Sequence, residues 1–203
     1  MEEYRKIVNF IKKSKTIISS KDFKANNISY YYINKLIKDN YIKKISKGIY
    51  GKMDSFDDDY SIIQQRYKKA VYSYNTALFL MGETEVTPNK IEITIPREYN
   101  VKTFDDNIKV HYINKDYLHL GVIEVKSPYG NTVKCYNLER TICDIVKNQS
   151  NLDKEQINKI IRNCFRHNKI DGIKIMEYAK KLKCEGKIRA IMEVLIWLKI
   201  YNH

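Results

Sequence analysis

The sequence predicts an α+β protein built in two parts, and three observations carry that expectation. Charge is concentrated at one end: residues 1–50 hold 12 Lys and Arg against 4 Asp and Glu, a net +8 of the +13 carried by all 203 residues. Within those fifty residues helical spacing gives way to a short alternating segment. Beyond them, four strand signals precede a run of helical patterns, which places a small sheet before a helical C-terminal half.

The first helix is expected over Glu2 to Ser14, where Tyr4, Ile7, Val8 and Ile11 fall at i, i+3, i+4 and i+7. Lys15 to Ile18 breaks that stripe and reads as an extended link. Ser19 or Ser20 then caps a short helix to Ala25, with Asp22 favourable in its first turn. Asn26-Asn27 turns the chain, and Ser29 caps a third helix running to Asn40. On a helical wheel Tyr30, Ile33, Leu36 and Ile37 gather on one side, with Tyr31, Asn34, Lys35 and Lys38 on the other. Tyr41 to Tyr50 (YIKKISKGIY) alternates and turns at Lys47-Gly48, as a two-stranded wing does. Three helices and a basic hairpin in this order describe a winged helix-turn-helix over residues 1–52.

In such a unit the third helix packs its apolar side inward and presents its outer side to the major groove. Asn34 pairs with adenine edges, Tyr31 reaches phosphate or a thymine methyl, and Lys35 and Lys38 reach guanine edges or phosphates. Ser29 sits at the helix start, and Lys43, Lys44 and Lys47 lie against the backbone or the minor groove. Double-stranded DNA is therefore the expected partner.

Gly51 to Asp59 is polar and carries Asp54, Asp57, Asp58 and Asp59, which suggests a hinge before a second domain at 60–203. A helix is expected from Tyr60 to Met81, with a break around Ser73-Tyr74-Asn75 and Gly82 as its C-terminal stop. Strand signals follow at Ile91 to Ile95 (ending at Pro96), Ile108 to Ile113, Gly121 to Val125 and Thr132 to Tyr136. The turn Ser127-Pro128-Tyr129-Gly130-Asn131 makes the last two a hairpin. Asn137 caps a helix that turns Leu138, Ile142 and Ile145 inward, and Arg140 is spaced to pair with Asp144 at i+4. Three further helices are expected around Lys154 to Arg166, Ile173 to Lys183 and Lys187 to Ile200.

Several function classes find little support. No apolar run reaches the roughly 20 residues of a membrane span, and the N-terminus lacks a signal-peptide pattern, so a cytoplasmic location without membrane association is expected. The four cysteines (Cys135, Cys143, Cys164, Cys184) are widely spaced, which fits buried thiols in a reducing compartment and no zinc site. Neither a phosphate-cradling glycine loop nor a GxSxG or HExxH motif occurs, so no cofactor, no metal and no enzymatic activity are expected. His111, His119, His167 and His203 have no sequence-local partner and read as structural or solvated. The enzymatic alternative is an E-x-K nuclease half-motif at Glu124-Val125-Lys126, to which Asp105, Asp106 or Asp116 would add a carboxylate. A solvent-facing Glu and Lys flanking an inward Val125 explains that triplet as well.

The arrangement resembles the AbiEi-type antitoxins of abortive-infection, type IV toxin-antitoxin systems. The resemblance runs through ISSKDFKANNISYYYINKLIKDNYIKKISKGIY, YSYNTALFLMG, IEITIPRE and GVIEVKSPYGNTVKCYNLERTICDIVKN to the closing helices with EYAKKL and MEVLIWLK. It implies an N-terminal domain that binds inverted repeats in its own promoter and represses the operon. It also implies a second domain that neutralises a nucleotidyltransferase-like toxin encoded alongside, without a stable toxin complex. A monomer in solution with two copies on the operator is expected. For the antitoxin domain the matched motifs point to Arg97, Glu139 and Arg140. The alternative within binding proteins is a winged-helix transcription factor of an unrelated system, with a sensing C-terminal domain.

Overall fold

A computed structural model describes residues 2–54, 56–101, 103–148 and 154–201. The fold is α+β, and the chain divides into two compact units, Met1–Lys68 with Lys126–Val133, and Lys69–Val125 with Lys134–His203. No helix among the described residues is long and apolar enough to cross a membrane.

The first unit opens with α1 (Glu2–Lys13), whose buried Ile7, Val8 and Ile11 form the inner stripe that the spacing predicted. β1 (Ile17–Ser19) forms at the end of the expected extended link and runs one residue past it; all three of its residues are buried and pair with a later strand. Ser19 then caps α2 (Ser20–Ala25) reciprocally: its side chain accepts from the Asp22 amide, while the Asp22 carboxylate takes the Ser19 amide and hydroxyl, both at 2.7 Å. Asn27 turns the chain at φ +55°. α3 (Tyr30–Lys38) ends two residues short of the expected Asn40, which adopts φ +57° after the helix.

β2 (Ile42–Ser46) and β3 (Ile49–Lys52) form the expected hairpin, and β1 adds to the far edge of β3 to give an antiparallel sheet ordered β1-β3-β2. Gly48 turns this hairpin at φ +76°, a conformation suited to glycine. Ile7, Val8, Ile11, Ile18, Phe23, Ile28, Ile33, Leu36, Ile42 and Tyr50 make the core. The unit continues through the acidic stretch into α4 (Asp59–Arg66); Ser55, within that stretch, lies outside the described residues. Asp58, read as part of a solvated hinge, is fully buried. It caps α4 at the Ser61 amide (3.2 Å) and accepts from Ser127 Oγ (2.5 Å) and Asn131 Nδ2 (2.7 Å).

The single helix expected from Tyr60 to Met81 is instead α4, β4 (Val71–Tyr72) and α5 (Tyr74–Leu80). Ala70, Val71 and Tyr72 are buried in succession, and a run buried on both faces belongs in the middle of a sheet. β4 is central to a five-stranded sheet ordered β6-β5-β4-β8-β7, with β5 (Ile91–Pro96), β6 (Ile108–Ile113), β7 (Val122–Lys126) and β8 (Thr132–Tyr136); the second unit holds β4, β5, β6, β7 as far as Val125 and β8 from Lys134. β4 runs antiparallel to β5 and parallel to β8, while β5 and β6 are parallel with Thr94 opposite His111.

α6 (Leu138–Lys147), capped by Asn137 as expected, lies at the centre of a core that α7 (Lys154–Arg166), α8 (Gly172–Lys181) and α9 (Glu185–Tyr201) complete. Cys135, Cys143, Cys164 and Cys184 are all free and buried.

Candidate functional site

The outer side of α3 is built from its inner side. Ile33 and Leu36 are buried and Ile37 half-buried, which turns Tyr31, Asn34 and Lys38 to solvent. Tyr31 is 68% exposed and meets the edge of Tyr32 with ring centroids 5.3 Å apart. Tyr30 departs from the wheel, at 65% exposure, because buried Ile28 ahead of the cap already packs with Ile33 and takes the inner position. Ser29 occupies the cap position and is exposed, but its side chain makes no capping hydrogen bond.

Lys35 differs from its neighbours. Its ammonium lies 4.3 Å from the centre of the Tyr4 ring, and the residue is half-buried. That ring stacks on Tyr32 at 6.1 Å, and the Tyr4 hydroxyl donates to Asp39 at 2.6 Å. Burial and then the Asp39 carboxylate push the Tyr4 phenol up from its ordinary value. Tyr32 donates to Glu3 at 2.9 Å, and that bond raises its phenol as well. Lys35 thus fastens α3 to α1 through an aromatic cluster. On the hairpin, Lys44 and Lys47 are exposed, while Lys43 is paired with Asp57 at 3.0 Å.

In the second unit the predicted Arg140–Asp144 pair forms, with Nε 3.0 Å from the carboxylate. Arg140 is 0% exposed; its Nη1 donates to the Tyr117 and Leu120 carbonyls, both at 2.9 Å, and its guanidinium lies 4.1 Å from the Tyr136 ring centre. Among the described residues its Nη2 has no hydrogen-bond partner. Burial pushes the Asp144 carboxyl up, and Arg140 opposes that shift. Gly121 makes this packing feasible: a Cβ there, at φ +78°, would come 2.7 Å from the Arg140 Cβ.

Glu139 is buried, accepts from the Asp171 amide at 3.2 Å and faces Lys174 at 3.8 Å. Both Glu139 and Arg140 hold the interior of the unit, and Arg140 has no surface left for a partner. Arg97 is exposed just beyond β5, with its amide bonded to the Ile113 carbonyl.

Sequence reasoning missed a second cluster in this unit. His111 Nε2 lies 2.7 Å from the buried Glu92 carboxylate, which Lys109 also reaches at 3.1 Å. Burial alone would raise the Glu92 carboxyl, but His111 and Lys109 outweigh it and hold it below its ordinary value. The His111 ring stacks on Tyr74 at 3.8 Å, and Tyr74, at φ +51°, accepts from Asn148. The register of a parallel pair assembles this cluster, and no spacing within one strand reveals it.

His167 bonds the Asn163 carbonyl, and His203 lies outside the described residues. Glu124 and Lys126 are exposed on either side of half-buried Val125, with Lys126 donating to Thr132 at 3.0 Å.

No family model matches the chain, and no curated protein matches it. Among solved structures, the RV2827C protein from Mycobacterium tuberculosis aligns with a TM-score of 0.48 at 10% identity, over 94% of this chain and 81% of that one.

Proposed function

We propose that the chain is a DNA-binding autorepressor and antitoxin. Residues 1–52 act as a winged helix-turn-helix on inverted-repeat operator DNA, and the second unit counters a nucleotidyltransferase-like toxin encoded beside it. The observation that carries the DNA half is the exposed side of α3, where Tyr31, Asn34 and Lys38 stand free of the core and Lys44 and Lys47 follow on the hairpin. A helix with a polar outer side, followed by a basic hairpin, in a segment of net +8, suits base reading with backbone neutralisation. The AbiEi-type resemblance supplies the antitoxin half, with no enzymatic activity and no cofactor. The protein is cytoplasmic, a monomer that pairs on the operator, and it neutralises the toxin without a stable complex.

The test is a gel shift on the chain's own promoter at two salt concentrations, comparing wild type with Lys38→Ala/Lys44→Ala/Lys47→Ala. Affinity should fall, and the slope of log K against log salt should become shallower by about 0.9 for each phosphate no longer neutralised. An unchanged affinity and slope would remove the assignment. For the antitoxin half, the same variant co-expressed with the neighbouring gene's product should still restore growth; failure to rescue, by wild type too, would overturn that role.

A further inference from the structure

The acidic stretch that follows the β2–β3 hairpin is fixed to the first unit at Asp58. That residue is fully buried, caps the Ser61 amide and accepts from Ser127 Oγ and Asn131 Nδ2. Asn131 in turn donates to Thr16 Oγ1 at 2.6 Å, just ahead of β1. Asp57, one residue earlier, is therefore presented to the hairpin from an anchored base. A Cβ at Gly51 of β3 would stand 3.6 Å from Asp57 Oδ1 and 2.9 Å from Ile45 Cδ1, so glycine leaves the space that these two side chains share. Gly51 is the register partner of Lys43 on β2, and the Lys43 ammonium meets Asp57 Oδ1 at 3.0 Å.

An exposed ion pair adds little to folding, because water screens it and two side chains lose freedom in forming it. Its place on the hairpin gives it a consequence for binding instead. Lys44 and Lys47 stay exposed on the same hairpin, whereas a phosphate recruits the Lys43 charge only by taking the place of the Asp57 carboxylate.

We infer that Asp57 is an internal competitor for DNA phosphate, an autoinhibitory contact that holds Lys43 out of the basic surface until a duplex displaces it. The inference rests on the reading of residues 1–52 as a DNA-binding unit. When the pair opens, Lys43 releases a cation from the duplex, but the freed carboxylate takes one up, so the exchange yields no net counterion release. Wild type therefore binds more weakly, and with a shallower salt dependence, than a chain whose residue 57 is neutral.

The experiment is fluorescence anisotropy of a labelled duplex of the chain's own promoter, between about 0.05 and 0.2 M salt. The full chain is compared with Asp57→Asn, with Asp54→Asn (an exposed carboxylate of the same stretch) and with Asp57→Asn placed in a Lys43→Gln background. Asp57→Asn should bind about two- to fivefold more tightly, the range open to an exposed ion pair. Its slope of log K against log salt should steepen by about 0.9, for one further phosphate neutralised. Asp54→Asn should gain less and keep the wild-type slope, and Asp57→Asn should have no effect once Lys43 is gone. Equal gains from the two Asp variants, or a gain that persists without Lys43, would mean general repulsion and overturn the competitor. So would an Asp57→Asn chain that binds no more tightly than wild type, with urea unfolding showing its fold intact. Absence of saturable binding by wild type and every variant would instead remove the DNA reading itself, and the competitor with it.

Discussion

Replacing Arg140 by Ala should cost the second unit about 3–5 kcal/mol at neutral pH, the range for breaking a buried ion pair from one side. The substitution removes the Nε contact to Asp144, two hydrogen bonds to the Tyr117 and Leu120 carbonyls, and the stacking of the guanidinium on Tyr136. It leaves a carboxylate and two carbonyls without their donor, and each carbonyl left dry adds about 1–3 kcal/mol. One process limits the total. Burial already raises the Asp144 carboxyl, and without Arg140 that value rises further, so the group takes up a proton instead of remaining charged.

The sign of the pH dependence follows. A carboxyl whose folded value lies above its unfolded value favours folding below the unfolded value, and that contribution is lost as pH rises through the folded one. The deficit of Arg140→Ala is therefore smallest near pH 4 and grows toward pH 8. Urea unfolding followed by circular dichroism at the two ends of that range measures it. Arg140→Met/Asp144→Leu, which removes both charges, should recover a large part of the loss. A deficit below about 1 kcal/mol at neutral pH, or one equal at both ends, would refute the reasoning.

The Glu92 carboxyl is held low by His111 and Lys109, so it stabilises the fold above the ordinary carboxylate range, and this contribution disappears as pH falls through its lowered value. Glu92→Gln should lose stability at neutral pH and show a flatter decline than wild type between about pH 5 and pH 2, read from thermal unfolding; parallel declines would remove the ion-pair assignment. Asp58→Ala strips the cap from α4, leaves the Ser127 hydroxyl without its acceptor and removes one of the two acceptors of the Asn131 side chain, which keeps Thr16. It should destabilise the first unit by about 2–4 kcal/mol, and amide exchange at Ser61 and Asn131 should accelerate in that variant. Protection unchanged at both amides would place Asp58 outside the network.

Local chemistry was legible in part where partners lie within a turn or two of helix. Ser29 makes no capping hydrogen bond, and His167 finds the Asn163 carbonyl four residues back, but other local contacts were readable. Ser19 with Asp22, Asn137 with the Arg140 amide, and Arg140 with Asp144 are all contacts of three or four residues, and each forms. Contacts that depend on tertiary register were hidden. The Arg140 donors reach carbonyls 23 and 20 residues away, and His111 meets Glu92 through parallel strands whose pairing leaves no trace in either strand's alternation. The helix expected through residues 60–81 gave way at Val71-Tyr72 for the same reason. Short apolar runs are ambiguous by period, and the central place in the sheet settled this one. Asp58 looked like a solvated hinge because its partners, Ser127 and Asn131, come from the tip of a hairpin 69 and 73 residues on.

The same division runs through the proposed DNA surface. A helical wheel assigns a side to each residue of α3 but says nothing of what the neighbouring helix does with it. Asn34 and Lys38 remain exposed, while Lys35, on that same side, is drawn onto Tyr4 of α1. On the hairpin Lys44 and Lys47 stay exposed, but Lys43 shares its charge with Asp57 from the acidic stretch. Exposed ammonium groups contribute most to counterion release, so Lys38, Lys44 and Lys47 should carry more of the salt dependence than Lys35 or Lys43. Lys35→Ala should instead loosen α3 against α1, lowering stability before it changes the salt slope. A Lys35→Ala chain with wild-type stability and a shallower slope would return that residue to the reading face.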